Sequence, residues 1–170
     1  GVLAPLLDDP ARRGPVIDAL GRLGPAAKPA APKLAGLLSS SSKEEQVRIL
    51  HALGRLGPAA SDVASALDQA MKQPDPQVRI AAIEAGVLIS TKPATQVSIL
   101  DAGLDDADRS VRVATAEVIK RLGFRVVATA PRLLALAEKD EDREFALATL
   151  SQIDVRDVAK LTELLRHPNR

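Results

Sequence analysis

The sequence predicts an all-α chain, a right-handed α-solenoid of helix-pair repeats. Three observations carry that prediction. An eight-residue phrase, Leu20-Gly21-Arg22-Leu23-Gly24-Pro25-Ala26-Ala27, returns 33 residues later as Leu53-Gly54-Arg55-Leu56-Gly57-Pro58-Ala59-Ala60. The same register continues through Ser90 and Gly123 and shortens to 31 at Asp154. Self-similarity at a fixed period of this size marks a stacked array. Finally, Phe124 and Phe145 are the only aromatic residues, so the core must be built from Ala, Leu, Val and Ile, which suits closely packed helices.

Each period holds two apolar stripes at helical spacing. The first helix of each unit shows Val16, Ile17, Leu20 and Leu23, then Ile49, Leu50, Leu53 and Leu56. It continues as Ala82, Ile83 and Ile89, then Ala116, Ile119 and Leu122, then Ala146, Leu147, Leu150 and Ile153. The Gly-Pro-Ala-Ala phrase should close this helix and turn the chain, with Gly just past the last apolar residue and Pro beyond it. The second helix shows Ala31, Leu34, Leu37 and Leu38; Ala64, Leu67, Ala70 and Met71; Val97, Leu100 and Leu104; and Ala130, Leu133 and Leu136. Val158, Leu161, Leu164 and Leu165 form a fifth copy after a shortened turn, and Leu3 to Leu7 match Leu34 to Leu38. The expected organisation is one array over 1–170, with 1–8 the second helix of a truncated unit and repeats at 9–41, 42–74, 75–107, 108–139 and 140–170. Opening in mid-repeat without Met, the chain reads as a segment of a longer protein.

Composition narrows the function classes. With 23 basic and 22 acidic residues, there is no global field to attract nucleic acid or an anionic membrane. No cysteine is present, which excludes disulfides, thiol chemistry and Cys-based metal sites and fits any compartment. No apolar run is long enough to span a bilayer and no signal peptide is visible, so membrane insertion is not expected and the cytoplasm is the default location.

The unit Asp75-Pro76-Gln77-Val78-Arg79-Ile80-Ala81-Ala82, its counterpart Asp108-Arg109-Ser110-Val111-Arg112-Val113-Ala114, and the Leu-Gly-Arg-Leu-Gly-Pro-Ala-Ala phrase resemble the HEAT repeat. The similarity is to the bacterial type also called phycobilisome-lyase-like HEAT, and it covers nearly the whole chain. Repeat three departs at Ile89-Ser90-Thr91-Lys92-Pro93, where the glycine of the turn is missing. Such arrays are scaffolds reused for many partners, so the resemblance speaks to fold more than to function.

Equivalent residues stack into columns. Asp9, Ser42, Asp75 and Asp108 suit helix N-caps, and Ser42 to Glu45 makes a capping box. Four residues on stand Arg13, Gln46, Arg79 and Arg112; Gln replaces Arg where Ser replaces Asp, as expected if the two columns interact. The resemblance implies an Asp/Arg ladder tying repeats together, here Asp9, Arg13, Asp75, Arg79, Asp108 and Arg112. A second pair of columns reads Asp18, His51, Glu84, Glu117 and Arg22, Arg55, Leu88, Arg121. Asp18 to Arg22 and Glu117 to Arg121 have the spacing of surface ion pairs, which favours a solvated ridge over an anion track.

Chemistry is scarce. Asp101, Asp105, Asp106 and Asp108 lack the Gly and Glu of a calcium loop, and caps explain them. Gly21 to Lys28 has the wrong spacing and setting for a phosphate loop. His51 and His167 have no following Glu with which to hold a metal, and no nucleophile has a base beside it. The expectation is a non-enzyme without cofactor or metal.

The resemblance implies that the second helices line the concave side, where the outward columns are small-residued and mildly acidic. Asp68, Gln69, Lys72, Asp101, Asp105 and Leu134 are the expected partner-binding residues, meeting a protein or peptide. Alternatives are a nucleic-acid-handling array like the HEAT-like alkylpurine DNA glycosylases, disfavoured by Asp68, Asp101 and the missing Trp and Tyr, and a lyase or chaperone-like protein. Leu3, Leu6 and Leu7, with Leu161, Leu164 and Leu165, are expected to give some end-to-end self-association.

Overall fold

The structure, a computed structural model, describes residues 4–122 and 126–152. Those residues are helical throughout, with turns between, and no strand occurs among them. Among the described residues the α-helices are α1 (Pro10–Leu23), α2 (Ala31–Leu37), α3 (Lys43–Leu56), α4 (Ala64–Ala70), α5 (Pro76–Ile89), α6 (Pro93–Leu104), α7 (Arg109–Leu122), α8 (Val126–Ala137) and α9 (Arg143–Leu150). Short 3₁₀ segments cover Ala4–Asp8, Gly24–Ala30, Leu38–Ser40 and Gly57–Val63.

The chain divides into two compact units, residues 1–96 and 97–170, with the boundary inside α6. In the first unit α3 packs between α1 and α5, with α2 and α4 behind them. The packing is close because of two glycines. A Cβ built on Gly21 would lie 3.2 Å from Ala52 Cα, and one on Gly54 would lie 3.2 Å from Ala85 Cα. The core is Ile17, Leu34, Ile49, Leu50, Leu53, Leu56 and Val78, all essentially sealed from solvent. In the second unit α7, α8 and α9 pack together around Val111, Ile119, Leu133 and Ala146.

Helix starts follow the expected caps. Asp9, Asp75 and Asp108 each accept a bond from the backbone N–H two residues on, and Ser42 accepts from Glu45 N–H. Gly24 and Gly57 close α1 and α3 at φ 57° and 59°, a left-handed backbone that an L side chain strains to adopt. The Pro-Ala-Ala that follows winds into 3₁₀ helix, so α2 and α4 keep only 7 residues each. Repeat three, lacking that glycine, behaves differently. Ser90 takes extended backbone (φ −73°, ψ 129°), and the Gln96 amide donates to the carbonyls of Val87 and Ser90 at 3.0 and 2.8 Å. The turn is thus closed by a side chain, and α6 reaches 12 residues.

Several core expectations need correction. Leu23 and Leu147 are 52% and 50% exposed, and Ala64 is exposed too. Leu23 is the last residue of α1, which has a first-helix neighbour, α3, on one side only among the described residues. At α9 the buried side is the N-cap residue Asp142 with Ala146 and Thr149, spaced i, i+4, i+7, which turns Leu147 outward. Ala64 follows a 3₁₀ turn that puts Val63 into the core instead. At the start of the chain Leu7 is fully buried, so it offers nothing to end-to-end association. Leu3 and the fifth second-helix copy, with Leu161, Leu164 and Leu165, lie outside the described residues, as do Gly123, Ile153 and Asp154.

Candidate functional site: a cleft on the second-helix face

The column at Arg13, Gln46, Arg79 and Arg112 has a use that its spacing does not reveal. Each side chain donates to carbonyls left open where the preceding segment ends. Arg13 Nε reaches Leu7 O at 2.8 Å, and Gln46 Nε2 reaches Leu38 O at 2.7 Å. Arg79 Nη1 reaches Gln73 O and Pro74 O, both at 2.9 Å, and Arg112 Nη1 reaches Asp106 O and Ala107 O at 3.0 and 2.9 Å. Gln can stand in for Arg because the task needs an N–H donor. Pairing Asp9 with Arg13 is therefore corrected: Asp9 bonds Arg12, and Arg13 turns to Glu45 of the next repeat at 3.6 Å. Ties between repeats also run from Lys43 to Asp75 at 3.0 Å and from Arg112 to Asp142 at 2.8 Å. The Lys43 hydrogen bond holds the Asp75 carboxyl below its usual range.

One pairing on the ridge of first helices is corrected as well. Asp18 bonds Arg48 of the next repeat at 2.9 Å instead of Arg22. Glu117 bonds Lys120 at 2.7 Å, and His51 faces Glu84 at 3.8 Å.

On the second-helix face, α2 and α4 leave a gap. Between them lies a cleft of about 260 Å³. One wall is Ala35, Leu38 and Ser39; the other is Ala66, Gln69, Ala70 and Gln73; Gln46 and Val78 complete the lining. It opens because Ala35, Ala66 and Ala70 carry only methyl groups where longer side chains would close the gap. No charged side chain lines it. Of the three primary amides, Gln46 is spent on Leu38 O, while Gln69 is exposed and its side-chain amide makes no hydrogen bond within the described residues. A free amide offers two donors and one acceptor, which matches the alternation of a peptide backbone. At this size the cleft is small for a drug-sized molecule but takes one or two side chains of a chain laid across it.

Of the six expected partner-binding residues, Gln69 lines this cleft, and Asp68 and Lys72 are exposed on or just after α4. Asp101, Asp105 and Leu134 belong to the second unit. There Asp105 is bound to Arg132 at 3.1 Å, and Leu134 is half-buried. Asp101 is not the open acid expected. It is half-buried, one carboxylate oxygen is sealed without a partner, and burial pushes its pKa up against the opposing pull of Arg132. Sequence reasoning missed Gln46 and Gln73 as cleft residues; the first was read as a ladder residue, and the second follows the helix stripe.

Among the described residues no group of His, Asp or Glu side chains is placed to hold a metal ion, and no helix is long and apolar enough to cross a membrane. No protein-family model, curated protein or solved structure matches the chain.

Proposed function

We propose that the chain is a protein-interaction module, a right-handed HEAT-like solenoid segment that binds an extended peptide or protein loop across its second helices. The observation that carries this reading is the uncharged cleft between α2 and α4, with the free Gln69 amide at its edge. An extended chain needs backbone partners and shallow side-chain sockets, and small residues let its main chain approach closely. Asp68 and Lys72 are exposed elsewhere on α4 and just after it, and offer one charge of each sign to a partner that extends beyond the cleft. The reading is non-enzymatic: no nucleophile, base or cofactor cradle is part of it. Nucleic acid fits less well, since the cleft supplies no cation to neutralise a phosphate and no aromatic ring on which a base stacks.

Selection of displayed peptides on the immobilised protein tests the reading. Ala66→Trp fills the cleft from a partly exposed position. Selected peptides should lose roughly tenfold or more in affinity for that variant, while its helical signal stays at the parent level. Peptides that bind parent and Ala66→Trp equally would remove the cleft from the account.

A further inference from the structure

Arg22, Arg55 and Leu88 occupy one position in three successive first helices, 33 residues apart, and all three are exposed. Glycines set the placement of two of them. Arg55 Cδ lies 3.5 Å from where a Gly21 Cβ would stand, and Leu88 Cδ1 lies 3.3 Å from where a Gly54 Cβ would stand. Arg55 and Leu88 therefore each lean on the bare backbone of the helix before, and Arg22 holds the equivalent position on α1, which puts the three in a row at steps of about one interhelical distance, ~8 Å.

The row has unused binding capacity. The acid four residues before Arg22 is committed elsewhere, since Asp18 holds Arg48, and the neighbouring Glu84 faces His51. The side chains of Arg22 and Arg55 make no hydrogen bond or ion pair among the described residues. The last five residues of α1, α3 and α5 contain no acid, Lys28 adds a third exposed cation, and Asp62 is the one acid in the turns that follow α1 and α3. Apolar surface adjoins the cations: Leu88 is 53% exposed and Leu23 is 52% exposed. The arginines sit at the negative ends of their helices, so an anion meets them at the guanidinium tips, away from the helix carbonyls.

We propose that Arg22, Arg55 and Leu88 form a second docking row, separate from the α2/α4 cleft, for an acidic protein segment with two carboxylates followed by an apolar side chain. An extended strand advances about 3.3 Å per residue, so carboxylates two or three residues apart match the ~8 Å step. Charge complementarity selects the acids, and Leu88 selects the apolar residue after them. Protein is favoured over nucleic acid because two free arginines neutralise too few phosphates for much counterion release, and exposed leucines give a phosphate backbone nothing to bury.

The test is fluorescence anisotropy of a labelled peptide alternating Glu and Ser and ending in Leu, titrated with the whole chain at low salt and again near ~150 mM. The row predicts binding that weakens with salt, falls roughly tenfold in Arg22→Glu with Arg55→Glu, and falls roughly threefold in Leu88→Ser. Arg22→Lys with Arg55→Lys should keep most of it, which guards against a folding artefact, and helical signal is recorded for every variant. Ala66→Trp should leave it unchanged, so failure of the cleft and failure of the row are told apart. Equal binding by the double Glu variant, or by a Lys/Ser peptide in place of Glu/Ser, would overturn the proposal. Tighter, arginine-dependent binding of an oligothymidylate would overturn it in favour of nucleic acid.

Discussion

Arg112 grips both carboxylate oxygens of Asp142, Nε to Oδ2 at 2.8 Å and Nη2 to Oδ1 at 3.0 Å, and both residues are buried. Nη2 also takes Glu141 at 2.8 Å, and Nη1 serves two backbone carbonyls. One side chain thus joins the start of α7 to the approach to α9. Removing one partner of a buried pair leaves the other charge uncompensated, which costs more than the pair contributes. Arg112→Ala should destabilise by about 3–5 kcal/mol, while Arg112→Leu combined with Asp142→Leu should recover most of that loss. Urea denaturation of both variants checks this; a double variant as weak as Arg112→Ala would contradict it.

Asp101 should make stability depend on pH in a way that few surface acids do. Burial raises its folded-state pKa, and Asp105 adds to that while Arg132 opposes it. A raised carboxyl keeps its proton in the folded chain where the unfolded chain, near pKa 3.9, has lost it. Its contribution is therefore full below that value and is lost as pH rises through the folded value. Asp101→Asn removes the buried charge, so its melting temperature should exceed the parent's at neutral pH, with the gap closing towards pH 4. A gap of constant size across that range would show that Asp101 is not the cause.

The glycine contacts predict a sharp size limit. A Cβ at position 54 meets Ala85 Cα at 3.2 Å, and backbone cannot swing aside as a side chain can. Gly54→Leu should drive α3 from α5 and destabilise by about 1–3 kcal/mol, despite leucine's better helix propensity. Gly36 has nothing within 4 Å of its own added Cβ, so Gly36→Ala should be neutral or stabilising. Comparing the two by thermal denaturation separates packing from propensity.

Periodicity made the helices readable because burial imposes it directly: Ile17, Leu20, Ile49, Leu50 and Leu53 all fall where the stripe puts them. The caps were readable for the same reason, a local bond between near neighbours. What the sequence could not show was partner choice between helices. Asp18 stands four residues from Arg22 but bonds Arg48, since packing brings the next helix within reach. Leu23 looks identical to Leu56 in sequence, yet one is exposed and the other sealed, because neighbours differ. Within the candidate site, Gln69 was legible as an outward residue of α4. Gln46 and Gln73 were not, because the cleft is lined by residues that only packing brings together, from α2 to α5 and the segments after α2 and α4.

The most direct test of the interaction account follows the side-chain amide resonances of Gln46, Gln69 and Gln73 by NMR while a cleft-selected peptide is added. Binding in the α2/α4 cleft predicts that the Gln69 and Gln73 amides shift, that Gln46 moves less because it already bonds Leu38 O, and that Ala66→Trp abolishes the shifts. Saturable binding with all three amides unmoved would contradict the account.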